Sequence, residues 1–227
     1  MTIQAVMFDF SGTLFRLEQD ETWLTDLTDD TGRPLDIDEQ AELMRRMTAP
    51  SGQVVELDPE YQFAWDNRDL DPALHHKIYV EVLRKSGLHP EQAESLYGRL
   101  IDPAEWTPYP DTETVLKAVA GKGVKVGVLS NIAFDIRPAF TARGLDEFVD
   151  AFVLSFEEKV IKPDPEVFRI LLDRLGTAPE NALMVGDSEE ADGGARTLGS
   201  AFALVDPLPT SERPDALLAA VRAHGVL

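Results

Sequence analysis

Two hundred and twenty-seven residues suffice for one large domain, or for a domain carrying an insert, with enough chain to bury a real core. Hydrophobic residues make up 44% of the chain, Gly and Pro number 15 each, and cysteine is absent; this describes a globular protein without disulfides, thiolate chemistry or Cys-held metal. A formal charge of -20 excludes nucleic acid as a partner, because that affinity rests on Lys and Arg neutralising phosphates.

The opening residues Met1-Thr2-Ile3-Gln4 lack the charged and then apolar pattern of a signal peptide, and nowhere do roughly 18 apolar residues run together. The expectation is a cytoplasmic chain, monomer or homodimer, that does not enter a membrane. A small anionic ligand must approach an acidic surface. Charges are screened beyond about 8 Å at physiological salt, so a bound metal and a few local cations decide its fate.

The first strand is read at Ala5-Val6-Met7-Phe8, an apolar run that stops at Asp9 and turns at once through Phe10-Ser11-Gly12-Thr13. From residue 17 to 107 the periodicity is helical, with Ile37, Ala41, Met44 and Met47, then Leu74, Ile78, Val82 and Leu83, then Ala93, Leu96, Tyr97 and Leu100. No convincing alternating run appears there. Gly87-Leu88-His89-Pro90 marks a helix junction and residues 48–53 read as a loop. Trp106 to Asp111 is the return crossing.

Regular α/β alternation follows. A helix capped by Asp111 or Thr112 runs through Val119, and the second strand, Val124 to Leu129, ends at Ser130-Asn131. A helix carrying Ile136, Phe140 and Leu145 leads to a short strand, Phe152 to Leu154. The next helix opens at Pro163-Asp164-Pro165, where proline suits the first turn, and closes at Gly176. Leu183 to Gly186 is a strand ending at Asp187; a Gly- and Ala-rich helix, a strand from Ala201 to Val205 and a last helix from Arg213 complete the chain. Such alternation implies a Rossmann-like parallel sheet with right-handed crossovers. The expected core is residues 1–16 and 108–227, with a helical insert at 17–107.

Four signals fall at strand tips or helix starts: Asp9 to Thr13, Ser130-Asn131, Lys162-Pro163, and Gly186 to Asp192. Ligands of α/β sheets bind outside the carboxyl ends of the strands. Asp9, Asp187 and Asp192 brought together there would repel one another without a cation, and oxygen donors suit a hard ion such as Mg²⁺. Ser130, Asn131 and Lys162 offer a hydroxyl, an amide and an ammonium for the oxygens of a phosphoryl group, with Asp9 as the nucleophile that attacks phosphorus.

These motifs resemble those of the haloacid dehalogenase-like hydrolase superfamily, subclass I. Asp9-Phe10-Ser11-Gly12-Thr13 is similar to its first motif, Ser130-Asn131 to its second, Lys162 before Pro163-Asp164-Pro165 to its third, and Gly186-Asp187 with Asp192 to its fourth. The resemblance implies a metabolite phosphatase with an aspartyl-phosphate intermediate on Asp9. It implies further that Asp9, the Ser11 carbonyl and Asp187 ligate Mg²⁺, that Asp192 supports the metal, and that Ser130 and Lys162 bind the phosphoryl group; Gly12, Thr13 and Asn131 are expected beside them as further substrate contacts. The insert lies where the family carries a helical cap.

One position departs from the pattern. Family phosphatases place an aspartic acid where Ser11 stands, to protonate the leaving oxygen and then activate water. A serine hydroxyl, with its pKa far from neutral, does neither well, at a cost of about 10²- to 10⁴-fold in rate. Either the substrate has a good leaving group, or the insert supplies the proton through His75, His76 or His89, or the chain binds a phosphorylated ligand or protein partner without turning it over. Family dehalogenases carry a tyrosine at this position and replace the metal-binding Gly-Asp, so Asp187 counts against that chemistry. Phosphonate hydrolases carry an alanine and use an insert lysine, for which Lys77 and Lys85 are the candidates. Arg16, Arg45, Arg46 and Arg68 could meet an anionic substrate, and Trp23 and Trp65 could line its pocket.

Overall fold

The computed structural model describes residues 2–18, 21–25, 27–29, 31–48 and 56–227, without the side chains of residue 21 and residues 44–48. Five strands, β1 (Ala5–Phe8), β4 (Lys125–Ser130), β5 (Ala151–Leu154), β6 (Ala182–Gly186) and β7 (Ala201–Leu204), form one parallel sheet in the order β5-β4-β1-β6-β7. Two shorter strands, β2 (Phe15–Leu17) and β3 (Trp106–Pro108), pair antiparallel outside it. β1 is central because it is apolar on both faces. Val6 and Phe8 join a core shared with Val115, Leu116, Leu217 and Val221, while Ala5 and Met7 face Val167, Phe168 and Leu171.

The helices on those faces are α5 (Thr112–Gly121) and α9 (Ala216–Ala223) on one side and α8 (Pro165–Leu175) on the other. Gly127 lets α8 close on the sheet, since a Cβ there would stand 2.8 Å from Leu171 Cδ1. Asp164 caps α8 by accepting from Glu166 N at 2.9 Å, Pro165 fills its first turn, and Gly176 ends it with φ +64°.

Between β2 and β3 the regular elements are helical, as the periodicity predicts: α1 (Ile37–Thr48), α2 (Pro59–Asp66), α3 (Pro72–Lys85) and α4 (Pro90–Leu100). The last three begin alike, with a capping side chain before a proline: Asp58, Asp71 and His89. Ala64, Trp65, Ile78 and Val82 form a small core of their own. Thr48 ends α1, while the rest of the loop expected at 48–53 and the side chains of Met44, Arg45, Arg46 and Met47 lie outside the described residues.

Four expectations are corrected. The crossings into and out of the insert form the β2–β3 ribbon, too short for an alternating pattern to register. The helix expected through Ile136, Phe140 and Leu145 is two pieces, α6 (Arg137–Thr141) and a 3₁₀ turn at Asp146–Phe148, separated at Gly144 with φ +64°. The Gly- and Ala-rich helix after β6 is 3₁₀ throughout, Asp192–Leu198, because Asp192 turns back on β6 and Gly194 lies against Pro163. The last helix begins at Ala216 rather than Arg213, after a 3₁₀ turn at Thr210–Glu212. A four-residue helix, α7 (Ser155–Glu158), had no visible signal.

Among the described residues no helix is long and apolar enough to cross a membrane.

Candidate active site

Asp9 stands one residue beyond β1, and its amide donates to Val185 O at 3.0 Å, which holds its backbone in line with the β1–β6 ladder. The chain then folds tightly over Phe10. The amides of Leu14 and Phe15 both donate to Phe10 O, at 3.0 and 2.8 Å, and the Phe10 ring is buried beside Phe15 and Trp106. A fully buried aromatic of this size is worth about 1.5–3 kcal/mol, so the turn that presents the carboxylate is anchored by its neighbour.

Lys162 approaches from the segment before α8 and is buried. Its ammonium donates to Asp9 Oδ1 at 2.7 Å, to Asp192 Oδ1 at 2.6 Å and to Leu129 O at 3.2 Å. Asn131, at the tip of β4, fixes the lysine's backbone: Lys162 N donates to Asn131 Oδ1 at 2.7 Å and Asn131 Nδ2 donates to Lys162 O at 3.0 Å. The amide expected at the phosphoryl group is thus committed to positioning Lys162. Ser130, the preceding residue, is buried at the end of β4.

Asp187 follows β6 directly, and Asp192 reaches back to it from the next turn. Ligand oxygens of Asp9, Asp187 and Asp192 all lie within 4.8 Å of one another. Two glycines make room. A Cβ at Gly12, where φ is +72°, would come within 2.5 Å of Asp187 Oδ2, and one at Gly186 within 2.2 Å of Asp192 Cγ. Neither position admits a side chain without moving a carboxylate.

If all three carboxylates ionise, Lys162 leaves two negative charges in excess. Burial, reinforced by Asp192 and Asp187 and opposed by Lys162, pushes Asp9 up to about 8. Burial and Asp192 likewise raise Asp187. Burial alone would lower Lys162, but the attraction of Asp192 and Asp9 outweighs it and holds the ammonium above its ordinary value. Two uncompensated charges on oxygen donors suit a hard divalent cation, around which opposed ligands stand about 4.2 Å apart. Each of the three carboxylates still offers an oxygen within 4.8 Å of the others, and Asp192 is the one that accepts a hydrogen bond on both of its oxygens, from Lys162 and from Ser188 N at 3.0 Å.

Sequence reasoning missed Arg213. It is buried, 3.0 Å above the Tyr109 ring, and donates to the carbonyls of Gly12 at 2.6 Å, Thr13, and Asp206 at 3.1 Å. Gly12 is 201 residues away in the chain, and no local pattern marks such a tether. Thr13 is fully buried and its Oγ1 has no hydrogen-bond partner.

The other candidates are engaged elsewhere. His75 is buried against Tyr97 Oη at 3.0 Å, and burial, with Arg68 and His76 adding to it, drives it down to about 3. His76 meets Glu94 at 2.8 Å, and His89 Nδ1 accepts from Glu91 N at the start of α4. Lys77 pairs with Glu60 and Lys85 donates to Glu56 O. Trp23 is buried and donates to Glu105, Trp65 belongs to the insert core, and Arg68 covers the Trp65 ring. Arg16 donates to Pro207 O and lies 3.5 Å from Glu18.

Residues 3–196 match the family model described as haloacid dehalogenase-like hydrolase. The chain is 33% identical over 143 residues to a phosphoserine phosphatase of Thermus thermophilus, covering 62% of this chain and 57% of that protein. It is 32% identical over 160 residues to a ribulose-1,5-bisphosphate 5-phosphatase of Halopiger xanaduensis, covering 66% of each. It thus spans roughly 60% of the length of these relatives. A crystal structure of a dehalogenase with an intermediate complex superimposes with TM-score 0.68 at 18% identity, over 98% of this chain and 97% of that one. The likeness to that structure is one of fold, whereas the match to the family model takes in the whole first turn, β4, Lys162 and the Asp187–Asp192 loop, and so this chain belongs to the haloacid dehalogenase-like hydrolase family.

Proposed function

We propose that the chain is a Mg²⁺-dependent phosphohydrolase of a small phosphorylated metabolite, working through an aspartyl-phosphate on Asp9. One observation carries it: Asp9 sits at a strand tip, held by a buried lysine and crowded by Asp187 and Asp192, so that the cluster is short of positive charge. The relatives named as phosphatases support the reading.

In this scheme Lys162 steers Asp9 Oδ1 and offers its remaining positive charge to a phosphoryl oxygen, while Oδ2 of Asp9 attacks phosphorus. Ser130 and the turn at Gly12 and Thr13 cradle the same group, and Asn131 acts through Lys162. A divalent ion held by Asp9, the Ser11 carbonyl and Asp187 would keep Asp9 ionised and offset the phosphoryl charge when bound. Residues 17–107 serve as the cap that selects the substrate. Retention of Asp187 argues against dehalogenation, and the engagement of Lys77 and Lys85 argues against a lysine Schiff base.

The test is a single-turnover experiment with labelled phosphate ester and Mg²⁺. Label on Asp9 that disappears in Asp9→Asn, and whose formation in Asp187→Asn no longer responds to Mg²⁺, supports the reading. A second reading follows from Ser11: a chain that binds a phosphorylated ligand and turns it over weakly or not at all. Under it, the wild type binds phosphate esters yet leaves Asp9 unlabelled.

A further inference from the structure

Ser11 leaves the leaving group without a proton donor, and the three histidines of the insert are a buried neutral ring, a surface ion-pair partner and a helix cap. Another acid enters from the insert. Asp69 lies on the 3₁₀ turn Arg68–Leu70 between α2 and α3. That turn is pinned to the carboxyl edge of the sheet. Asp69 O accepts from Ser155 Oγ at 2.6 Å, the same Oγ accepts from Ile132 N at 2.8 Å, and Leu70 O accepts from Lys159 Nζ at 2.8 Å. Ile132 follows Ser130 by two residues, so the turn is tied to the loop that carries the expected phosphoryl contacts.

The Asp69 side chain is 21% exposed, with the Arg68 guanidinium 3.9 Å away. The charged and titratable groups that act on it are Arg68 and Tyr79 from the insert and Lys162 from the site itself. Asp69 therefore sits on a turn tied to the loop that follows Ser130, and the charge of the lysine that holds Asp9 acts on its carboxyl. Burial raises its carboxyl above the ordinary aspartate value, with Arg68 and Lys162 opposing. That is the direction a proton donor needs near neutrality.

We propose that Asp69 is the general acid and base of this enzyme, taking the part that Ser11 cannot. The assignment rests on the phosphohydrolase reading above. As the bond from Asp9 Oδ2 to phosphorus forms and the ester P–O bond breaks, the Asp69 carboxylic acid gives its proton to the departing oxygen, releasing an alcohol. In the second step water attacks phosphorus, one of its protons passes to the Asp69 carboxylate, and the bond to Asp9 breaks. Hydrogen phosphate leaves, and both aspartates return to their starting states.

The test uses the full chain with Mg²⁺ and compares 4-nitrophenyl phosphate with glycerol 2-phosphate. Asp69→Asn keeps the carbonyl that anchors the turn. It is expected to retain the burst of nitrophenolate, to lose steady-state turnover by about 10²-fold or more, and to accumulate label on Asp9. Turnover of the alkyl ester falls further than that of the aryl ester, and adding Ser11→Asp to Asp69→Asn restores it. Loss of the burst together with failure of that rescue makes the role structural and overturns the proposal, as does turnover within about 3-fold of wild type on both esters. A wild type that turns over neither ester and never labels Asp9, with Ser11→Asp equally silent, overturns the phosphohydrolase reading itself, and Asp69's part with it.

Discussion

Replacing Lys162 by methionine removes the cation that bridges Asp9 and Asp192 in the cluster of three carboxylates. The ammonium makes contacts of 2.7 Å to Asp9 and 2.6 Å to Asp192, and both partners are buried with it. Methionine fills a similar volume, so packing changes little. What changes is that Asp192 loses its charged partner in a medium that solvates it poorly, and Asp9, already pushed up to about 8 by burial, loses the ammonium that opposes that rise. Breaking a buried ion pair from one side costs about 3–5 kcal/mol, and with about 2–4 °C per kcal/mol in a chain of this size the melting temperature falls by about 10 °C. The assay is thermal and urea unfolding in EDTA at pH 7.5 for Lys162→Met, Asp192→Asn and the double variant. Each single change should be costly, and the double variant should recover at least about 1 kcal/mol relative to their sum, because contacting residues are non-additive. Losses that simply add would refute the argument that these charges stabilise one another. Excess Mg²⁺ should raise the melting temperature of Lys162→Met more than that of wild type, because the added cation replaces missing charge.

Gly12→Ala places a methyl group where φ is +72° and Asp187 Oδ2 is 2.5 Å away; a stability loss of about 1–3 kcal/mol together with weaker Mg²⁺ binding by calorimetry is expected. Arg213→Met strips the donors from the Gly12 and Thr13 carbonyls, for about 2–4 kcal/mol in chemical unfolding, with a further fall in turnover as the turn carrying Asp9 loosens. His75 is driven down to about 3 in the folded state from an ordinary 6.5, so the unfolded chain binds the extra proton between those values. Its contribution to stability is complete above pH 6.5 and declines toward pH 3 by about 1.4 kcal/mol per unit; His75→Phe should flatten that acid limb in urea titrations at pH 4.5–6.5.

The sequence by itself determined the alternation of strands and helices, the helical run between the first strand and Trp106, and the order of Asp9, Ser130, Lys162 and Asp187. Those are local matters: apolar runs bounded by Gly, Pro and capping Asp, with reactive types falling just past strand ends. Only the tertiary structure decided which groups are spent on one another. Asn131, read as a contact to the phosphoryl group, has its amide paired with the Lys162 backbone, and Asp192, read as a support of the metal site, accepts from Lys162 and from Ser188 N. Arg213 and Asp69 carried no signal because their partners are 201 and 86 residues distant along the chain. Burial, which fixes the charge state of Asp9 and silences His75, is a property of what surrounds a side chain in space, and neighbours in sequence do not specify it.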